Sequence, residues 1–211
     1  MKRPPEREPL RDVIPRAAKK PRVTTDPVLP CEVEGKIKDR SDAAKLREHL
    51  QAIQAHREKY EKRLQEEPDV SAHKGKITEA KGEHEATLLM IQRYPDYEII
   101  WDFAAGTGID QLWYNKSTDT YIMVEAKGPG ATLSTGAAKG DQMTLEWVRN
   151  SLTEVKNSKS SNDEDRQRAE KMLNAMDNGP SPQVLGRVIE AKEDGGAEEK
   201  PCPDGGIYHA Q

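Results

Sequence analysis

Apolar positions recur every three or four residues across residues 41 to about 66, at Leu46, Leu50, Ile53, Tyr60 and Leu64, with Arg57 taking one place in the seam. That spacing predicts an amphipathic helix, stopped by Pro68. A second helix is predicted over residues 74–93, ending at Tyr94-Pro95 because the residue before a proline is pushed out of the helical region. The two can pair as a hairpin, and their seam is too short and interrupted for a coiled coil. The period then changes. Residues 97–103 (YEIIWDF) are β-branched and aromatic, 104–108 (AAGTG) have turn chemistry, and 109–114 (IDQLWY) predict a second strand. Another turn at 115–120 leads to a third strand at 121–127 (YIMVEAK). A Gly-rich loop over 128–140 follows, and Asp141 is the expected N-cap of a helix with Met143, Trp147, Val148, Leu152 and Val155 on one face. A polar linker over 158–165, a short helix over 164–176 and a fourth strand over 184–191 complete the pattern. Three strands joined by short turns suit an antiparallel meander, and the later helices form a crossover to the fourth. The expected fold is α/β, with a mixed four-stranded sheet flanked by helices.

The flanks differ from this centre. Residues 1–30 hold seven prolines, and residues 1–22 carry eight Lys or Arg against three Asp or Glu. Such a stretch cannot bury enough apolar surface to offset its ordering entropy, so residues 1–40 read as a basic, Pro-rich disordered arm. Residues 193–211 read as a polar acidic tail. Between them, residues 41–70 form the amphipathic helix and 71–192 the main domain. The 211 residues carry 33 Lys plus Arg and 37 Asp plus Glu, a net charge of −4, and 34 % of them are hydrophobic. No stretch approaches the roughly 18 consecutive apolar residues of a membrane span. No apolar segment follows the basic first residues, so no signal peptide is expected. Cys31 and Cys202 lie far apart without metal-ligand spacing, and no histidine pair has zinc-site spacing.

Candidate chemistry concentrates in the predicted sheet. Asp110 lies near the start of the second strand, and Glu125-Ala126-Lys127 ends the third. Strand alternation points Glu125 and Lys127 to the same face. Two carboxylates on neighbouring strands with an ammonium beside them suit a hard divalent ion, which takes a few carboxylate oxygens together with water and substrate phosphate. The tripeptide alone is unspecific, since Glu-x-Lys begins also at Glu34, Glu79, Glu154, Glu190 and Glu198. Only Glu125 follows a compact apolar strand and has a strand-borne acid upstream. The competing reading is an ordinary ion pair on a half-exposed sheet.

Taken in order, Gly82-Glu83, Gly106-Thr107-Gly108-Ile109-Asp110, Val124-Glu125-Ala126-Lys127-Gly128 and Gln142-Met143 with Trp147 resemble the PD-(D/E)xK nuclease superfamily. Its core is an α-β-β-β-α-β unit, and here it would be preceded by a long N-terminal helix. More narrowly, the chain looks like the restriction-endonuclease-fold toxin domains of bacterial polymorphic toxins and secreted antibacterial effectors. The resemblance covers residues 75–155. It implies that Asp110 and Glu125 bind Mg²⁺ or Mn²⁺, that Lys127 is the catalytic lysine, that Glu83 brings a helical carboxylate to the metal, and that Gln142 orients water or phosphate. Glu79 and Glu85 are alternatives to Glu83.

The implied activity is metal-dependent endonucleolytic cleavage of DNA, in a toxin made in the bacterial cytoplasm and delivered by a secretion system to the cytoplasm of a target cell. The implied partners are a cognate immunity protein and a secretion-system or chaperone component engaging the N-terminal region. A non-catalytic adaptor on the same fold, an RNase and a DNA-repair nuclease are the alternatives. The acidic net charge opposes tight duplex binding. The opposition is local, because residues 161–211 alone carry eleven acids and six bases.

Overall fold

The computed structural model describes residues 31–101, 108–136, 138–179 and 182–208. Three helices come first: α1 (Cys31–Lys38), α2 (Ala43–Glu66) and α3 (Ser71–Arg93). The meander follows as β1 (Glu98–Trp101), β2 (Gln111–Asn115) and β3 (Thr120–Lys127). Then come α4 (Leu145–Asn157), α5 (Asp163–Asn178), β4 (Gln183–Ala191) and β5 (Ala197–Lys200). The strands form one sheet in the order β1-β2-β3-β4-β5. Only β3 and β4 are parallel, with the α4–α5 segment as their crossover, and the other neighbours are antiparallel.

Both faces of the sheet are covered, which explains why β3 is buried along almost its whole length. Ile122, Val124 and Ala126 of β3 and Trp113 of β2 pack against α1, α2 and α3. The alternate residues Tyr121, Met123 and Leu112 pack against α4 and α5, with Trp147, Val148, Leu152 and Met172. The helical hairpin expected of α2 and α3 therefore forms one layer and α4–α5 the other. Trp101 and residues 102–107, which include much of the first expected strand and turn, contribute no described side chains.

Four expectations are corrected. The sheet has five strands: after β4 the chain turns through Lys192, whose amide donates to Gly196, and adds β5 as an antiparallel edge. The acidic tail is thus partly structural, and Tyr208 beyond β5 is fully buried. The first forty residues are not uniformly an arm, because α1 buries Val33 and Ile37 completely; residues 1–30 lie outside the described residues. Finally, Asp141 does not cap α4. Thr144 does, its hydroxyl accepting from the Trp147 amide at 3.3 Å, while Asp141 accepts from the Gly136 amide at 2.7 Å and orders the preceding loop.

A short contact fixes α3 against the sheet. A Cβ at Gly82 would lie 2.6 Å from the Lys127 carbonyl carbon and 2.7 Å from the Gly128 nitrogen. Only a residue without a side chain lets the helix backbone come this close to the end of β3. The motif Gly82-Glu83 therefore locks α3 to the strand end that carries Lys127.

Candidate active site

The β2–β3 ladder ends at Gln111 opposite Val124. One residue earlier the chain leaves the sheet, and the side chain of Asp110 replaces the missing backbone: its Oδ2 accepts from the Ala126 amide at 2.8 Å. Alternation places Glu125 and Lys127 on the face shared by Met123, the α4 side, and Asp110 meets them from just before β2. The Lys127 ammonium lies 2.8 Å from Glu125 Oε1 and donates to Gln142 Oε1 at 2.9 Å. Gln142 is fixed in turn, since its Oε1 also accepts from the Ser134 amide at 3.1 Å and its own amide donates to the Ser134 carbonyl at 2.9 Å. Asp110, Glu125, Lys127 and Gln142 are therefore brought together.

Glu83 approaches from the other face. Its carboxylate accepts from Gln111 Nε2 at 3.0 Å, within a buried network. Gln111 also donates to Thr87 Oγ1 at 2.9 Å and accepts from Trp113 Nε1 at 3.0 Å, and His49 Nε2 lies 3.0 Å from Thr87 Oγ1. Of the alternative helical acids, Glu85 lies 3.3 Å from His84 and its carboxyl is held low mainly by that contact. Glu79 pairs with Lys76 at 2.6 Å, and its charge is felt by both Glu83 and Asp110.

The electrostatics are those of acids crowded away from water. Burial raises the Asp110 carboxyl to about 6, opposed by the Ala126 amide and the Lys127 charge. Burial and then the charge of Asp110 raise Glu125 to about 8, with Lys127 opposing. Glu83 is pushed well above the ordinary carboxylate range by burial first and Asp110 second. Glu125 is only 3 % exposed, its carboxyl lies in hydrogen-bond contact with that of Asp110, and among the described residues no fixed donor reaches its Oε2. A buried carboxylate is costly unless a shared proton or a cation satisfies it, and here a proton between the two acids does so in the absence of a cation.

Among the described residues no three His, Cys, Asp or Glu side chains converge as a metal-holding group. The expected third ligand, Glu83, is engaged with Gln111. What remains among the described residues is a pair of adjoining carboxyls, Asp110 and Glu125, whose chemistry fits a hard cation that displaces their shared proton and fills its shell with water and phosphate oxygens. Sequence reading missed Gln111. Its signal was there: an amide in an otherwise apolar strand, two residues before Trp113 and so on the same face. Compared with protein-family models, curated proteins and solved structures, the chain matches none.

Proposed function

We propose that this chain is a metal-dependent endonuclease that hydrolyses phosphodiester bonds of DNA. The observation that carries the reading is the buried, adjoining Asp110–Glu125 pair with Lys127 against it. A fold gains nothing from burying two acids side by side, and strongly perturbed acids beside a fixed cation are typical of functional sites.

Asp110 and Glu125 would hold the Mg²⁺ or Mn²⁺, which when bound polarises a phosphoryl oxygen and acidifies a water. The chain's own residues supply the rest. The Ala126 amide fixes the Asp110 carboxylate. Gln142 holds the Lys127 ammonium, which is 14 % exposed and can orient the attacking water and offset charge developing on phosphate. Glu83, anchored by Gln111, holds α3 against the opposite side of the strands that carry the pair.

The resemblance to toxin nucleases extends the proposal to an antibacterial effector, delivered by a secretion system and blocked in its producer by a cognate immunity protein. The direct test is incubation of purified protein with plasmid and Mg²⁺, and with RNA in parallel. Cutting by wild type that is lost in Asp110→Ala and Lys127→Ala is expected. Intact nucleic acid with wild type, or equal cutting by the variants, refutes the reading, while cleavage confined to RNA reassigns the substrate. Toxicity on expression in a bacterium, rescued by the neighbouring gene, tests the effector role.

A further inference from the structure

The C-terminal segment is tied to the stretch that carries Gln142. The Tyr208 amide donates to the Val184 carbonyl at 2.9 Å, and Ile207 bridges to Leu185, so the segment crosses the start of β4. The Tyr208 side chain is completely buried, in space left because Gly186 has no Cβ, and its hydroxyl donates to the Met143 carbonyl at 2.7 Å. Cys202 Sγ lies 3.3 Å from that hydroxyl. Two residues on from Met143, the Leu145 amide at the start of α4 donates to Asp204 Oδ2 at 2.8 Å.

Met143, gripped in this way, has a φ of 64° and is 1 % exposed. A side chain with a Cβ rarely takes this left-handed conformation and keeps it only where its surroundings hold it. The turn it makes aims the preceding residue, Gln142, at Lys127 and Ser134.

We propose that Tyr208 and Asp204 are positioning residues for the site: the C-terminal strap holds the turn at residues 143–145 and through it sets Gln142 against the Lys127 ammonium. The catalytic consequence rests on the nuclease reading above. The structural half does not.

The test combines amide hydrogen exchange with cleavage kinetics on the full chain. In Tyr208→Phe, which keeps the ring and removes the hydroxyl, the Gln142 and Ser134 amides are expected to exchange faster while the β3 and β4 amides do not change. The kcat is expected to fall about tenfold with KM held within about twofold, because a misplaced positioning group lowers rate rather than affinity. Asp204→Ala is expected to do the same, and Asp204→Asn, which still offers an oxygen to the Leu145 amide, to restore wild-type behaviour. Unchanged exchange at Gln142 and Ser134 overturns the proposal. So does faster exchange with unchanged kcat, or faster exchange throughout the sheet, which would make the strap merely structural. Wild-type protein that cuts nothing refutes the nuclease reading and the catalytic half of this one, and the exchange result still decides whether the strap holds Gln142.

Discussion

Replacing Asp110 by Asn should make the metal-free protein more stable at alkaline pH while abolishing activity. The folded-state carboxyls of Asp110 and Glu125 are raised to about 6 and about 8. Between about pH 4 and pH 8 the folded chain therefore binds more protons at these sites than the unfolded chain, and stability falls as pH rises through that window. For Asp110 alone, a carboxyl lifted from about 4 to about 6 destabilises the fold by on the order of 3 kcal/mol once ionised. Asn is nearly isosteric and still accepts from the Ala126 amide, but loses the attraction to Lys127, so a net gain of about 1–3 kcal/mol is expected. In a domain of this size that is about 3–10 °C in melting temperature near pH 8, shrinking to about half of that near pH 5 and towards zero only near pH 3. Melting curves of wild type and Asp110→Asn between these pH values, with EDTA and with Mg²⁺, make the comparison. Groups with lowered carboxyls, such as Glu85, act in the opposite direction in both proteins and cancel in the difference. Mg²⁺ should raise the wild-type midpoint more near pH 8 than near pH 5, and leave the variant unmoved. A variant less stable than wild type near pH 8, or a wild-type midpoint indifferent to Mg²⁺ there, would refute the reasoning.

Other substitutions probe how the site is held. Gly82→Ala drives a methyl into the backbone of Lys127 and Gly128 and should destabilise by about 1–3 kcal/mol and abolish cleavage, whereas Gly75→Ala on the same helix, with nothing within 4 Å, should stabilise by up to about 1 kcal/mol; urea titrations distinguish them. Gln111→Leu strips Glu83, Thr87 and Trp113 of buried partners and should cost about 2–4 kcal/mol, read by tryptophan fluorescence during unfolding. A form beginning at Ser41 lacks the buried Val33 and Ile37 and should be about 3–5 kcal/mol less stable than one beginning at Cys31, measured by chemical denaturation.

The periodic elements were legible because their physics is local. The three- and four-residue spacing of Leu46, Leu50 and Ile53 marks the face that α2 buries, and the apolar run at Ile122 to Val124 marks a strand covered on both sides. The missed elements depend on distant partners. Within α1, the sequence CEVEGKIK offers only Val33 and Ile37 as apolar positions, and its place in the core comes from what it meets. Arg40, just beyond it, bonds the Pro95 and Tyr97 carbonyls and pairs with Asp42, which itself accepts from the Ile99 amide and so protects the outer edge of β1. The charged strand β5, AEEK, has no hydrophobic alternation to announce it. It is held by the β4 ladder and by ion pairs of Glu198 with Lys192 and of Glu199 with Arg93 and Arg187.

The candidate site was legible for a different reason: it breaks the rules the rest of the chain obeys. Acids at 110, directly before β2, and at 125, within β3, break segments otherwise built for a core, and a carboxylate buried there is a standing penalty unless a proton or a cation satisfies it. Spacing could show that Glu125 and Lys127 share a face. It could not show that Glu83 lies across the sheet, because the helix register depends on the contact of Gly82 with the Lys127 backbone, and two residues so far apart in sequence carry no mutual pattern. The same holds for Gln142, whose aim is set by a turn that Tyr208 and Asp204 hold from the far end of the chain. Asp110, Glu125 and Lys127 were thus readable one by one from the character of the segments around them. The division of the site into an Asp110–Glu125–Lys127–Gln142 face and a Glu83–Gln111 support behind it follows only from packing.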